Sequence, residues 1–257
     1  MTYYVQNKSK YITDDQVKVM IGAAKLQVIQ FCKDWRIQPV DLLLVDNTFT
    51  TNENPQYFIE FVDVDPTQDV AYHTENGRKI FSKIFCAFIL SNSGCILNIG
   101  EKKNGELEDR IYGKDEIKEN VFSIASAFSH EVLEQLCNPH VNLWNENFTD
   151  NSRWSHEVCD PVQGDNMWIS SCGYRVAMSD YVLPSFFNYL SIGPYDWKGI
   201  LKAPFSVSDG GYGVVMKNGS NSSSIVYGML TPKHSYDKKI HRRLNIIIKS
   251  KTQCSLL

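Results

Sequence analysis

The chain contains no C-x-x-C pair, no long hydrophobic run, no internal repeat and no marked excess of either charge. Each absence removes a class of protein. Without paired cysteines there is no zinc knuckle. No apolar stretch approaches the ~20 residues of a membrane-spanning helix. Residues 1–10 are polar and lack the apolar core of a signal peptide, so the expected setting is intracellular. A net charge of −3 leaves no electrostatic footprint for nucleic acid. The seven cysteines are odd in number and scattered, which reads as reduced thiols. Cys159 and Cys172 are the pair an oxidising compartment would join.

What is present is an ordinary globular composition, 43% hydrophobic and 21% charged over 257 residues. That length allows a sizeable core. With no clear linker, the expectation is one domain over 1–257, its core at about 13–190 and a C-terminal extension over 191–257. Val17, Met20, Ile21, Ala24, Val28 and Phe31 recur at helical spacing after the N-cap signal Thr13-Asp14, predicting a helix to Trp35. Residues 41–45 read as a buried strand and 57–62 as a second; 80–90 contain a third and 95–99 a fourth. Residues 66–78 are loop-like, and 102–105 form a turn. The strongest helix runs over 114–137, with Ile117, Val121, Ile124, Ala125, Phe128, Val132, Leu133 and Leu136 on its apolar face. Asn138-Pro139 ends it, because proline cannot continue the ladder. Residues 167–178 suggest a hairpin, and 213–216 and 224–227 short β pieces. The fold class is therefore α+β, a small sheet packed on helices with an irregular C-terminal part.

Near the end of the long helix stands His130-Glu131-Val132-Leu133-Glu134, an H-E-x-x-E motif. Positions 130 and 134 are ~400° apart around a helix, so they share one face a turn apart. An imidazole and a carboxylate held that way can bind a metal ion. Glu131 beside them can take a proton from the water such an ion activates. The motif also recurs by chance on surface helices. Here the surrounding helix is apolar, and three polar groups are costly there unless used.

A catalytic zinc takes three protein ligands. Glu157-Val-Cys-Asp160, starting 23 residues after Glu134, can return to the helix face and supply the third. Glu157 is the first choice. Asp160 is then either an acceptor that fixes the His130 imidazole or an alternative ligand. His140 and His156 are further alternatives, more simply read as loop histidines, and His73 falls in the polar loop. His156, Tyr174 and Tyr181 are candidates to stabilise an oxyanion, each with packing as its simpler role.

As a set, Ser129-His-Glu-Val-Leu-Glu134, Asn138-Pro139, Asn142, Trp144 and Glu157-Val-Cys-Asp160 resemble an S-H-E-x-x-E…(D/N)-P…W…E-x-x-D pattern. That pattern belongs to zincin-like proteins of bacteria and to the plant phosphate-induced, EXORDIUM-like group. Tyr181-Val-Leu-Pro-Ser-Phe-Phe187 is similar to an aromatic-Val-Leu-Pro segment of some bacterial members. The likeness covers roughly residues 80–190. It implies a zincin-like fold, a small twisted mixed sheet packed on a long active-site helix. It also implies a Zn2+ cofactor held by His130, Glu134 and one of Glu157 or Asp160, with Glu131 as general base. Glu134 stands where ordinary zinc peptidases have a histidine. The extra carboxylate lowers the charge of the centre and makes its water less acidic. The functional expectation is a zinc metallopeptidase acting on a peptide or protein substrate. The alternative is a non-catalytic scaffold with the metal as a staple, serving binding or assembly.

Residues 231–257 hold seven Lys/Arg against one Asp and end in Cys254-Ser-Leu-Leu257, a loose C-a-a-X box. A lipid there, together with the basic run, would give membrane association. A plain basic tail is the simpler reading.

Overall fold

A computed structural model describes residues 1–64, 70–92, 94–97, 123–217, 219–220 and 222–228. The expected turn at 102–105, the 114–122 part of the long helix and the basic tail with Cys254 lie outside the described residues.

The first half builds a five-stranded mixed sheet. Its strands are β1 (Thr2–Asn7), β2 (Asp41–Val45), β3 (Gln56–Val62), β4 (Ala71–Asn76) and β5 (Lys79–Phe85), in the order β2-β1-β3-β5-β4. β1 runs parallel to β2 and β3, and β3 parallel to β5, while β4 is an antiparallel edge strand. Parallel neighbours need a long crossover. The helix α1 (Asp14–Trp35) provides it between β1 and β2. Thr13 caps α1 as the sequence predicts: its side chain accepts the Gln16 N–H, and the Gln16 side chain accepts the Thr13 N–H. Val17, Met20, Ala24, Val28 and Phe31 face the core.

Three local expectations change. The polar-looking N-terminal segment is an interior strand, β1, with Tyr3 and Val5 fully buried. Residues 41–45 form an edge strand rather than a buried one; Leu42 is buried, but Leu43 is 46% exposed, and among the described residues no strand pairs beyond it. Residues 71–76, read as loop, are the strand β4. The predicted strand within 80–90 stops at Phe85, and a short helix, α2 (Cys86–Ser91), follows.

The motif-bearing helix is α3 (Ile124–Cys137). Ser123 is its extended N-cap, in a capping box with Ser126, so among the described residues the helix begins there. Cys95 pairs with Ser123 in an isolated bridge rather than in a strand. α1 and α3 pack on each other and against the sheet.

The second half adds β6 (Trp144–Asn147), β7 (Ser152–Ser155), the hairpin β8 (Asn166–Ser171) with β9 (Tyr174–Ser179), and β10 (Tyr212–Lys217) with β11 (Ser223–Tyr227). The β8–β9 hairpin, close to the predicted one, covers α1 and α3. The remaining strands form an antiparallel sheet in the order β11-β10-β7-β6. The whole is α+β. Among the described residues no helix is long and apolar enough to cross a membrane. Cys159 and Cys172 are free thiols, one buried and one exposed, so the pairing considered from sequence is not made.

The chain from 160 to 164 meets the turn at 208–211 backbone to backbone. Ser208 N–H donates to Pro161 O at 2.9 Å. A Cβ on Gly211 would lie 2.1 Å from that same oxygen, and one on Gly164 would lie 2.4 Å from Asp209 O.

Candidate metal centre

Four segments converge on the last turns of α3. Ser129 fixes the helix: its hydroxyl donates to Ser126 O and accepts Ser179 N–H of β9 at 2.7 Å. That contact sets which face carries residues 130 and 134. One turn apart, His130 Nε2 and Glu134 Oε1 are 3.1 Å apart. The chain then stops at Asn138, crosses β6 and β7, and returns with Glu157 and Asp160. Asp160 Oδ1 lies 3.3 Å from His130 Nε2. It is buried, and apart from that imidazole no hydrogen-bond partner among the described residues reaches it. A buried carboxylate oxygen in that condition calls for a further partner, a proton, a water or a cation.

Asn138 explains the Asn-Pro step. Its Oδ1 accepts the N–H groups of Asn142 and Leu143, which turns the chain back after the helix. Its Nδ2 leans on Glu157 Oε1 at 3.4 Å. Its backbone carbonyl meets His73 Nε2 at 3.1 Å.

His73, on the edge strand β4, is fully buried and forms the second half of the centre. Its Nδ1 is 3.1 Å from Glu131 Oε2 and 3.7 Å from Glu134 Oε2, and its Nε2 is 3.8 Å from Glu157 Oε2. Two sets of residues each bring one ligand atom apiece within 4.8 Å of the others in the set: His130, Glu134 and Cys159, and His73, Glu134 and Glu157.

The electrostatics are those of crowded, buried charge. Burial alone would lower the pKa of His130, but Glu134 and Asp160 outweigh it and hold the imidazole well above its ordinary value. Burial, reinforced by the Asp160 charge, raises Glu134. Burial first, then Glu134, keeps the Cys159 thiol protonated. A divalent cation would reverse all three tendencies, replacing the imidazole proton and favouring ionised ligands.

The sequence-predicted residues His130, Glu131, Glu134, Glu157 and Asp160 are thus brought together. Others are not. His140 pairs with Glu75 at the surface. His156 stacks on Phe187 with ring centroids 4.6 Å apart and bonds Asn145; burial lowers its pKa to about 4. Tyr181 OH donates to Asp34 Oδ2 at 2.8 Å, which commits it away from the centre. Three residues escaped sequence reasoning: His73, Cys159 as a donor, and Tyr212 on β10. The Tyr212 phenol is held well above its ordinary pKa by burial and by the nearby carboxylates of Asp160, Glu134 and Glu157.

Comparison of the chain with family models, with curated proteins and with solved structures finds no match. The class of site is therefore defined by its donors: two imidazoles, four carboxylates and one thiol, nearly all out of solvent. Nitrogen and oxygen donors with a thiol suit zinc, and the carboxylate-rich half also suits manganese or iron.

Proposed function

We propose that this chain is a zinc-dependent hydrolase of peptide-type bonds, with His130, Glu134 and Asp160 as ligands and Glu131 as general base. The observation that carries this reading is the convergence of His130 Nε2 on two carboxylate oxygens, 3.1 and 3.3 Å away, one of which has no hydrogen-bond partner among the described residues besides that imidazole. Tetrahedral zinc with bonds of ~2.0–2.2 Å sets neighbouring ligand atoms about 3.3–3.6 Å apart, close to that spacing. Asp160 replaces Glu157 as the preferred third ligand because it is the carboxylate beside His130, whereas Glu157 faces His73. An antiparallel edge strand beside a motif-bearing helix is zincin-like in outline and supports the scaffold part of the proposal.

Bound zinc supplies Lewis acidity toward a carbonyl and an acidified water. The chain's own residues do the rest. Glu131 takes a proton from water at the oxygen that His73 leaves free, and passes it to the leaving amine. His73 positions Glu131 through the 3.1 Å contact. Tyr212, whose buried phenol is hydrogen-bonded to Asp160, holds that carboxylate in place.

A second reading is a structural ion. Its support is that Glu131, Glu134, Glu157 and Asp160 are each no more than 6% exposed. Elemental analysis of the purified protein separates the possibilities. Wild type is expected to carry zinc that Glu134→Ala and Asp160→Ala lose. Glu131→Gln is expected to keep the zinc while cleavage of a mixed peptide library falls by ~10²–10⁴-fold. A metal-free wild type refutes the proposal. Retained zinc with no cleavage by any form favours the structural ion.

A further inference from the structure

We propose that the centre holds two divalent cations bridged by Glu134, the second seated by His73, Glu134 and Glu157. The inference rests on the reading that His130, Glu134 and Asp160 hold the first. Three observations carry it.

The first is the orientation of Glu134. Its Oε1 faces His130 Nε2 at 3.1 Å, and its Oε2 faces His73 Nδ1 at 3.7 Å. A carboxylate with its two oxygens in two different ligand groups is placed to bridge ions about 3.5–4 Å apart, the spacing of paired-metal hydrolases.

The second is the chemistry around His73. Its Nδ1 meets the acceptor Glu131 Oε2 at 3.1 Å, and its Nε2 meets the acceptor Asn138 O at 3.1 Å. A neutral imidazole has one N–H and one lone pair. It cannot serve two acceptors, so one of these contacts calls for an added proton or a metal ion. Glu134 Oε2, 3.7 Å from Nδ1, and Glu157 Oε2, 3.8 Å from Nε2, supply the other donor atoms, and one ligand atom from each of the three residues lies within 4.8 Å of the others.

The third is charge. Among the described residues the cationic partners of Glu131, Glu134 and Asp160 are imidazoles alone. Imidazoles that act as ligands are neutral. One divalent cation offsets two of these three buried charges. A second offsets the third. Buried anions in a low-dielectric interior demand that kind of compensation.

The test is metal stoichiometry. The full chain is stripped with a chelator, reloaded with Zn2+ alone, freed of excess and assayed for bound metal per chain. Wild type is expected to hold two ions. His73→Ala and, independently, Glu157→Gln are expected to hold one, with far-UV circular dichroism confirming that both are folded. Loaded with Mn2+, wild type should give the electron paramagnetic resonance spectrum of an exchange-coupled pair, and His73→Ala the six-line spectrum of isolated Mn2+. One ion in wild type, unchanged by His73→Ala, overturns the inference, leaves the single-zinc proposal standing and identifies His73 as the protonated partner of Glu131. No bound metal overturns both. Two ions that persist in His73→Ala and in Glu157→Gln place the second elsewhere and overturn the inference.

Discussion

The Asp180 carboxyl shows what burial does to a charge away from the proposed ions. It is wholly out of solvent; its Oδ1 accepts Tyr181 N–H at 2.9 Å, and its Oδ2 takes no hydrogen bond. Burial raises its pKa to about 8, with the Asp196 charge adding and the Tyr181 N–H opposing. The ordinary unfolded value is about 3.9. The folded state therefore holds its proton longer than the unfolded chain does. The stability contributed by this group is complete below pH ~4 and declines as pH rises, until it is lost above about 8. Asp180→Asn keeps an acceptor for Tyr181 N–H and removes the titration. In urea unfolding between pH 5 and pH 9, the variant is expected to gain on wild type as pH rises. Parallel curves for the two proteins would assign the dependence to other groups.

At the scale of elements, α1 tests how far local sequence rules carry. Its capping box satisfies both the Gln16 and the Thr13 amides. Thr13→Ala is expected to cost about 1 kcal/mol and to lower Tm by roughly 2–4 °C, measured by differential scanning calorimetry. α1 and α3 were legible because their apolar residues recur with helical period and their ends carry caps or proline, whereas the short α2 hid within the stretch read as containing a strand. The H-E-x-x-E face was legible for the same reason, since i,i+4 geometry needs no tertiary knowledge. The strands were harder. β1 is short and mixes polar with aromatic residues, so its interior position comes from pairing on both sides rather than from its own pattern. β2 is apolar yet lies at an edge. β4 carried the largest loss: Ala-Tyr-His-Thr-Glu-Asn alternates poorly because its outer side is exposed, and its one buried polar residue, His73, belongs to the candidate site. The return of residues 157–160 was predictable from loop length. Which carboxylate faces His130 was not, because that depends on the turn Asn138 makes.

At the scale of the molecule, the candidate centre is where both halves of the chain meet. His73 comes from the five-stranded sheet, His130 and Glu134 from α3, Asp160 from the returning chain and Tyr212 from the second sheet. No local window of sequence contains it, which is why Tyr212, in a Gly- and Ser-rich stretch, carried no signal. The backbone contact between Pro161 and the turn at 208–211 ties β10 to the returning chain beside Asp160. Gly211→Ala is expected to cost on the order of 1–3 kcal/mol, because the new carbon would sit 2.1 Å from Pro161 O. In the proposed centre it should also weaken zinc binding about 10- to 100-fold, the range for changes just behind a ligand, as read by chelator competition. Unchanged affinity would show that the strain relaxes away from Asp160.

That contact has a mechanical meaning. Where two loops touch through side chains, rotamers can absorb a displacement. Here backbone meets backbone, and a close-packed interior transmits strain. A force on β10 or β11 would reach Asp160 through that backbone contact. The second sheet is a lever whose short arm ends at the proposed ligand.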